Sequence, residues 1–241
     1  MKPFLVLLLP LVLVGCGAEP DAATEDVLSA ALPEPVADAP NASPTTQADA
    51  IAAIKKLGGT VNLDKTSGEV VGVDLNYTKI TDAGLVHLKG LASLTTLELF
   101  GTQVTDAGLE HLKDLTSLTT LWLRGTQITD AGLEHLKDLT SLTTLELYGT
   151  QVTDAGLEHL KDLTSLAMLY LSFTQITDAG LEHLQGLTSL TTLELTGTKI
   201  TDVGLEHLQG LTSLTTLDLG STPITDAGLA EIKAALPNCD I

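Results

Sequence analysis

Apolar residues recur along this chain with a spacing that repeats every 24 residues. In the segment Leu94–Ser117, leucines occupy positions 1, 4 and 6, and polar residues fill positions 2, 3 and 5. This pattern predicts a short strand whose positions 4 and 6 point inward and whose positions 3 and 5 point outward. Later in the segment, Leu109, Leu112 and Leu115 predict one buried helical stripe. Each copy therefore predicts one strand followed by one helix.

Seven such copies follow one another, with starts at Val70, Leu94, Leu118, Leu142, Leu166, Leu190 and Leu214. Their period and L-x-x-L-x-L core resemble leucine-rich repeats. The resemblance implies an α/β leucine-rich-repeat solenoid over residues 70–237. Strands stack about 4.8 Å apart, whereas helices need about 8–10 Å. We therefore expect a right-handed arc with a concave parallel sheet and convex helices.

Several polar residues and a glycine also recur at fixed positions of each copy. Threonine stands at position 9 in all seven copies, where its hydroxyl is expected to satisfy backbone groups of the loop. Thr105 or Asp106 is expected to cap the following helix, and Gly108 is expected to permit close backbone packing. The I-T-D-x-G-L run resembles the cysteine-type repeats of F-box proteins and of bacterial leucine-rich-repeat proteins. That resemblance covers the repeats alone and implies no ubiquitin-ligase role.

The chain before the repeats divides into three predicted segments. Residues 1–15 have the charged start and apolar run of a signal peptide, and they end at Leu13–Cys16, which resembles a bacterial lipobox. Residues 16–46 are rich in proline, alanine and acidic residues, which predicts a disordered tether. Residues 47–69 predict an N-terminal cap, and 238–241 a C-terminal cap. The predicted location is the bacterial cell envelope, with a membrane anchor at Cys16, facing the periplasm or the cell surface.

Charge and composition exclude several classes of function. A formal net charge of −19 repels phosphate backbones, so no nucleic-acid partner is expected. The six histidines all occupy position 18, on neighbouring helices too far apart to share an ion, so no metal site is expected. No catalytic residue or cofactor is predicted, because Cys239 has no histidine near it in sequence and the acidic residues follow the repeat template. A hydrolase is the least favoured hypothesis.

Residues that differ from those found at the same position in the other copies indicate where a ligand binds. All aromatic residues after the signal segment lie at positions 5, 7 or 8, outside the core pattern. Aromatic and arginine side chains at adjacent exposed positions are typical of recognition surfaces. The predicted ligand-binding residues on the concave face are Phe100, Trp122, Arg124, Tyr148, Tyr170, Phe173, Glu98 and Glu146.

Two functional hypotheses follow from these patterns. The first is a membrane-anchored module that binds a protein or peptide, or a glycan, on its concave face. The alternative is a structural spacer of the envelope without a specific ligand, in which case the exposed aromatic residues arose by drift.

The lipobox-like motif generates the first testable prediction. We expect Cys16 to carry a diacylglyceryl group as the first residue of the mature chain, and mass spectrometry of the purified protein measures this directly. A Cys16→Ser chain should lose its association with membranes. An unmodified N-terminus, or cleavage at another residue as after an ordinary signal peptide, would contradict the prediction.

Overall fold

The structure is a computed structural model that describes residues 46–241. Predictions for the signal segment, for Cys16 and for the tether up to residue 45 lie outside the described residues. The described part begins with one helix and one antiparallel strand, and seven repeats of strand and helical turn follow. The strands are β1 Thr60–Leu63, β2 Val70–Asp74, β3 Thr96–Glu98, β4 Thr120–Trp122, β5 Thr144–Glu146, β6 Met168–Tyr170, β7 Thr192–Glu194 and β8 Thr216–Asp218.

The helical segments lie on the opposite side of the leucine core from the sheet. The α-helices are α1 Gln47–Lys56, α2 Asp82–Leu85, α3 Asp106–Leu109, α4 Asp130–Glu134, α5 Asp154–Leu157, α6 Asp178–Leu181, α7 Asp202–Leu205 and α8 Asp226–Ala235. Turns of 3₁₀ helix extend α2, α3, α5, α6 and α7 and cover Val86–Leu88, Glu110–Leu112, Glu158–Leu160, Glu182–Leu184 and Glu206–Leu208.

In the first six repeats the helix is shorter than the leucine pattern suggested, whereas α8 of the last repeat runs for ten residues. In the second repeat, one α-helical turn ends at Leu109 and a 3₁₀ turn ends at Leu112, while Leu115 follows in the loop. The leucines are spaced uniformly by three residues, which suits the three residues per turn of a 3₁₀ helix. All three leucines are nevertheless buried.

The eight strands form one sheet in sequence order, and β2 to β8 are parallel. Each parallel strand pairs with the residue 24 positions further on, as in Leu97 with Leu121 and Leu121 with Leu145. The inward leucines of neighbouring repeats therefore stack on one another, and Leu121 and Leu145 are both 0% exposed. The predicted α/β leucine-rich-repeat solenoid with a parallel sheet is confirmed.

Aspartate at position 13 connects each repeat to the next, which corrects the capping role expected for it. The Asp106 carboxylate accepts the backbone N–H of Thr129 at 2.8 Å and the Thr129 hydroxyl at 2.7 Å. Thr105 makes no side-chain hydrogen bond to its own helix, whereas the equivalent Thr129, Thr201 and Thr225 each accept one, so the expected threonine cap forms in three repeats. The same pair of bonds joins each of the six successive repeat pairs, starting at Asp82 and Thr105. We call this series the aspartate ladder.

Glycine at position 15 makes room for the aspartate ladder. A Cβ atom built on Gly108 would lie 2.5 Å from Oδ1 of Asp82, far inside normal contact distance. The expected close packing at this glycine is therefore observed, and its partner is the carboxylate of the preceding repeat. Threonine at position 9 acts as predicted within its own repeat, as when the Thr102 hydroxyl donates to the Leu99 carbonyl at 2.8 Å.

Both edges of the sheet are covered by chain from outside the repeats. At the N-terminal edge, β1 pairs antiparallel with β2, and α1 begins at a capping box formed by Thr46 and Asp49. At the C-terminal edge, Asp240 forms a parallel bridge with Thr216, and its carbonyl accepts the N–H of Leu217 at 2.9 Å. These contacts shield edge hydrogen-bonding groups from pairing with another chain.

Stacked leucines generate the second prediction. Leu145→Ala should lower the free energy of unfolding by about 2–5 kcal/mol, because the cavity lies between two identical neighbours that cannot collapse into it. Urea denaturation measures the change. The matched control is Glu134→Ala on the helical side, where an exposed 3.7 Å ion pair with Lys137 contributes less than about 1 kcal/mol. Equal effects of the two substitutions would contradict the stacked core.

Candidate ligand-binding face of the sheet

The sheet face that points away from the core carries one row of residues at position 5 of each repeat. Strand pairing places these residues side by side across seven strands. We call this series the acid–aromatic row, and it consists of Asp74, Glu98, Trp122, Glu146, Tyr170, Glu194 and Asp218. Between Glu98 and Glu194, acidic and aromatic side chains alternate strictly, with neighbours about 4.8 Å apart.

The acidic side chains of this row have no cationic partner at salt-bridge distance. Within residues 46–241, the three ion pairs all join a lysine to a glutamate on the helical side. Glu98 is held in place by Asn76, whose Nδ2 donates to the carboxylate at 2.6 Å and whose Oδ1 accepts the N–H of Phe100 at 2.9 Å. The row is therefore an acidic surface without salt bridges, and at least one of its carboxylates is held by a hydrogen bond.

Partial burial raises the pKa of two of these glutamates. For Glu146, desolvation raises the pKa, nearby Arg124 opposes the shift, and the charge of Glu194 adds to it. For Glu194, desolvation and then the charge of Asp218 raise the pKa, while Arg124 again lowers it. A raised carboxyl pKa means that ionisation opposes folding, and this unfavourable contribution disappears as the pH falls through the raised pKa. A cationic ligand would offset it at neutral pH.

A second series of side chains lies beside the acid–aromatic row, at positions 7 and 8. The ring centroids of Tyr77 and Phe100 are 4.6 Å apart, and those of Tyr148 and Phe173 are 5.1 Å apart. The Arg124 guanidinium lies between the two pairs, with its Cζ 5.1 Å from the Phe100 centroid and 4.0 Å from that of Tyr148. We call these five side chains the ring stack.

Arg124 is the only arginine of the chain, and Trp122, two residues earlier, is the only tryptophan. Contacts with two aromatic faces fix the orientation of the guanidinium plane, and the N–H donors point outward from the edge of that plane. Among the described residues, no hydrogen bond or ion pair uses these donors. The arrangement therefore presents an oriented set of donors that a ligand oxygen can accept from.

Two members of the ring stack have a backbone conformation that disfavours their side chains. Position 8 has a positive φ in all seven repeats, and four of them carry glycine there. Tyr77 and Phe173 adopt φ values of 55° and 58° at this position. This left-handed conformation is unfavourable for residues with a Cβ, by about 1–2 kcal/mol. Such strain is found where a side chain has a function other than stabilising the fold.

Glycine in the next repeat makes space for these rings. A Cβ on Gly197 would lie 2.9 Å from the Phe173 ring, and one on Gly101 would lie 3.1 Å from the ring of Tyr77. The rings therefore lie flat over the following turn, although Tyr77 and Phe173 remain 73% and 52% exposed.

Trp122 lies outside the ring stack and borders a shallow depression in the sheet face. The depression holds about 390 Å³, and its lining residues are Thr120, Trp122, Thr144, Glu146, Met168 and Tyr170. Trp122 is 38% exposed on one side, and the Tyr170 hydroxyl lies 3.6 Å from the Met168 sulfur on the other. Glu146 also lines the depression, on the strand between those of Trp122 and Tyr170.

The structure divides the predicted site residues into two adjacent series. Phe100, Arg124, Tyr148 and Phe173 belong to the ring stack. Trp122, Tyr170, Glu98 and Glu146 belong to the acid–aromatic row. The sequence prediction omitted Tyr77, although glycine at position 8 in four of the other six repeats indicates a positive φ that an aromatic residue rarely adopts.

The described residues also bear on metal binding, on the reactivity of Cys239 and on membrane-spanning helices. Over residues 46–241, no group of three or more His, Cys, Asp or Glu side chains could hold a metal ion. Burial and the neighbouring charge of Asp240 raise the pKa of the Cys239 thiol, which lowers its thiolate fraction and its nucleophilicity. Within the same residues, no helix has the length and apolar character needed to cross a membrane.

Comparisons with known families identify the repeats. Leucine-rich-repeat models match residues 90–113, 116–161 and 164–224, the second of them describing two copies. Internalin C2 of Listeria monocytogenes is 31% identical, with a TM-score of 0.60, and the match covers 79% of this chain and 80% of that one. The chain belongs to the leucine-rich-repeat family. Members of this family typically act as non-enzymatic binding scaffolds.

Two further solved structures show the same fold. The internalin InlF of Listeria monocytogenes is 31% identical with a TM-score of 0.52, and the match covers 61% of this chain but only 40% of InlF. The structure of PEPR1 with AtPEP1 has 18% identity and a TM-score of 0.51, over 74% of this chain and 25% of that one, so it shows the fold alone. A search of curated proteins found no significant match.

Backbone strain at position 8 generates the third prediction. Phe173→Gly should change the free energy of unfolding by less than about 1 kcal/mol, because relief of about 1–2 kcal/mol of strain offsets a ring contact worth about 0.5–1.5 kcal/mol. Gly149→Ala is the matched control, with φ of 66° and nothing within 4 Å of the added Cβ. It should destabilise by about 1–2 kcal/mol. If Phe173→Gly lost more than about 3 kcal/mol, Phe173 would be a packing residue of the core.

Proposed function

We propose that this chain is a binding module of the bacterial cell envelope that takes a protein or peptide ligand on the outward sheet face. The observation that carries the proposal is the pairing of the ring stack with the acid–aromatic row. Four aromatic rings and the only arginine form one series, and unpaired carboxylates alternate with two more aromatic rings beside it. Family membership and the internalin likeness support a protein-interaction role.

The physical properties of this face match those of protein recognition sites. Aromatic and arginine side chains offer a large contact area and few rotamers to immobilise, and they are enriched among the residues that dominate binding energy. Strain at Tyr77 and Phe173, together with desolvated Glu146 and Glu194, makes the face unfavourable for the free protein. An envelope spacer without a ligand gains nothing from either feature.

Membrane attachment is the second part of the proposal. The apolar run and Leu13–Cys16 support lipidation at Cys16, and the composition of residues 16–46 supports an extended tether. The formal charge of −19 repels an anionic membrane, so the lipid would hold the chain while the tether lets the repeats stand clear.

The fourth prediction compares two double variants on the same sheet face. The full chain would capture partners from an envelope extract, and titration calorimetry would then measure the affinity of each captured protein. Trp122→Ala/Arg124→Ala should weaken binding by more than about 2 kcal/mol, roughly 30-fold, because it removes both hot-spot candidates. The control Thr192→Ala/Thr216→Ala changes outward threonines at position 3 and should have little effect.

The salt dependence of the binding affinity tests the same site independently. Binding should weaken as salt screens the carboxylates and yet persist, since the aromatic contacts are not screened. Equal affinity of the wild type and of Trp122→Ala/Arg124→Ala for the captured protein would place the binding site away from this face. Failure to capture any partner whose binding depends on these residues would favour the spacer hypothesis.

A further inference from the structure

The spacing of the acid–aromatic row carries information about the ligand. Glu98, Glu146 and Glu194 lie on every second strand, so neighbouring carboxylates are separated by about 9.6 Å. Trp122 and Tyr170 lie midway between them. A ligand that pairs with all three glutamates must therefore present cationic groups on one side at intervals of about 9.6 Å.

Regular peptide conformations differ in the distance between successive side chains on one side, and only some of these distances match the interval of about 9.6 Å. A polyproline II helix has three residues per turn and rises about 9.3 Å per turn, so every third side chain lies on one side. An extended strand repeats its sides every two residues, or about 6.8 Å, and misses the middle glutamate by about 3 Å. An α-helix brings a side chain back to one side after seven residues, or about 10.5 Å, and accumulates a mismatch of about 2 Å across the row.

We infer that the acid–aromatic row binds a segment in the polyproline II conformation that carries a lysine or arginine at every third residue. This inference rests on the proposed function and specifies its ligand. Seven residues suffice, because the first and third cationic groups would lie about 18.6 Å apart along the helix axis. Glu98 and Glu194 are separated by about 19 Å.

The remaining groups of the face suit the same ligand. Trp122 and Tyr170 lie between the carboxylates, where proline rings would pack, as they do in other aromatic-lined grooves that recognise this conformation. The backbone carbonyls of a polyproline II helix have no internal hydrogen bonds. The Arg124 guanidinium, oriented between Phe100 and Tyr148, can donate to those carbonyls. An α-helical ligand would offer few free carbonyls, since it uses them internally.

Two peptides of identical composition provide the sharpest test, which is the fifth prediction. The first, Pro-Lys-Pro-Pro-Lys-Pro-Pro-Lys-Pro, places lysine at every third residue, and the second, Pro-Pro-Pro-Lys-Pro-Lys-Pro-Lys-Pro, places it at every second. Attraction between a cationic peptide and an acidic protein is the same for both, so any difference reports spacing. Titration calorimetry with the full chain should show at least about tenfold tighter binding of the first.

Matched charge variants show where the discrimination arises. Glu98→Gln/Glu146→Gln/Glu194→Gln should abolish the preference between the peptides, and its thermal melt should remain cooperative because the side chains keep their size. The control Glu110→Gln/Glu134→Gln/Glu158→Gln removes the same charge from the helical side and should keep the preference. A preference that survives in the first variant would overturn the inference.

Other outcomes separate this inference from the proposed function. Equal or undetectable binding of both peptides would overturn the polyproline II inference. So would tighter binding of a helix-forming peptide with lysine at every seventh residue. In either case, loss of a captured partner in Trp122→Ala/Arg124→Ala would leave the proposed binding module standing. Unchanged capture by that double variant would refute the binding module itself, whichever peptide binds better.

Discussion

The aspartate ladder is the interaction on which the rest of the structure depends. Each carboxylate at position 13 accepts two hydrogen bonds from the threonine that begins the next helical turn, as Asp130 does from Thr153 at 2.7 and 2.6 Å. Glycine at position 15 is the only residue type that fits beside it. This contact fixes each repeat against its neighbour with an offset of 24 residues. Strand register follows from it, and so does the alignment of every outward position into a straight row across the sheet.

Because the repeats are aligned, residues that differ between repeats lie next to one another on the sheet and form a continuous surface. The leucine core and the aspartate ladder use the same positions in every copy, so residues at positions 5 and 7 can vary without disturbing either, and those at position 8 vary at the cost of backbone strain. Some residues at those positions are unfavourable for the fold: Phe173 adopts a left-handed backbone, and burial raises the pKa of the Glu146 and Glu194 carboxyls. Departures of this kind cluster where a protein is built for something other than its own stability. They are concentrated on one face of this solenoid.

Periodicity predicted the strand and the buried leucines, because these are properties of a single repeat, and the resemblance to leucine-rich repeats supplied the solenoid. The hydroxyl contact of Thr102 was predictable for the same reason. The shortness of the helical turns was not predicted, although the uniform three-residue spacing of Leu109, Leu112 and Leu115 contained the signal. Contacts between residues of different repeats were the hardest to predict from the sequence. The role of Asp106 depends on a donor 23 residues away, and the ring stack depends on contacts between position 8 of one repeat and position 7 of another.

Trp122 allows the central claim, recognition on the outward sheet face, to be measured directly. It is the only tryptophan of the chain, and it borders the depression beside Glu146. Its fluorescence therefore reports this face alone when a ligand without tryptophan is titrated. We expect the lysine-containing polyproline peptide to shift the emission to shorter wavelength, with saturation at the concentration found by calorimetry, because the indole becomes less exposed to water. Calorimetric binding of that peptide with unchanged Trp122 emission would contradict the account.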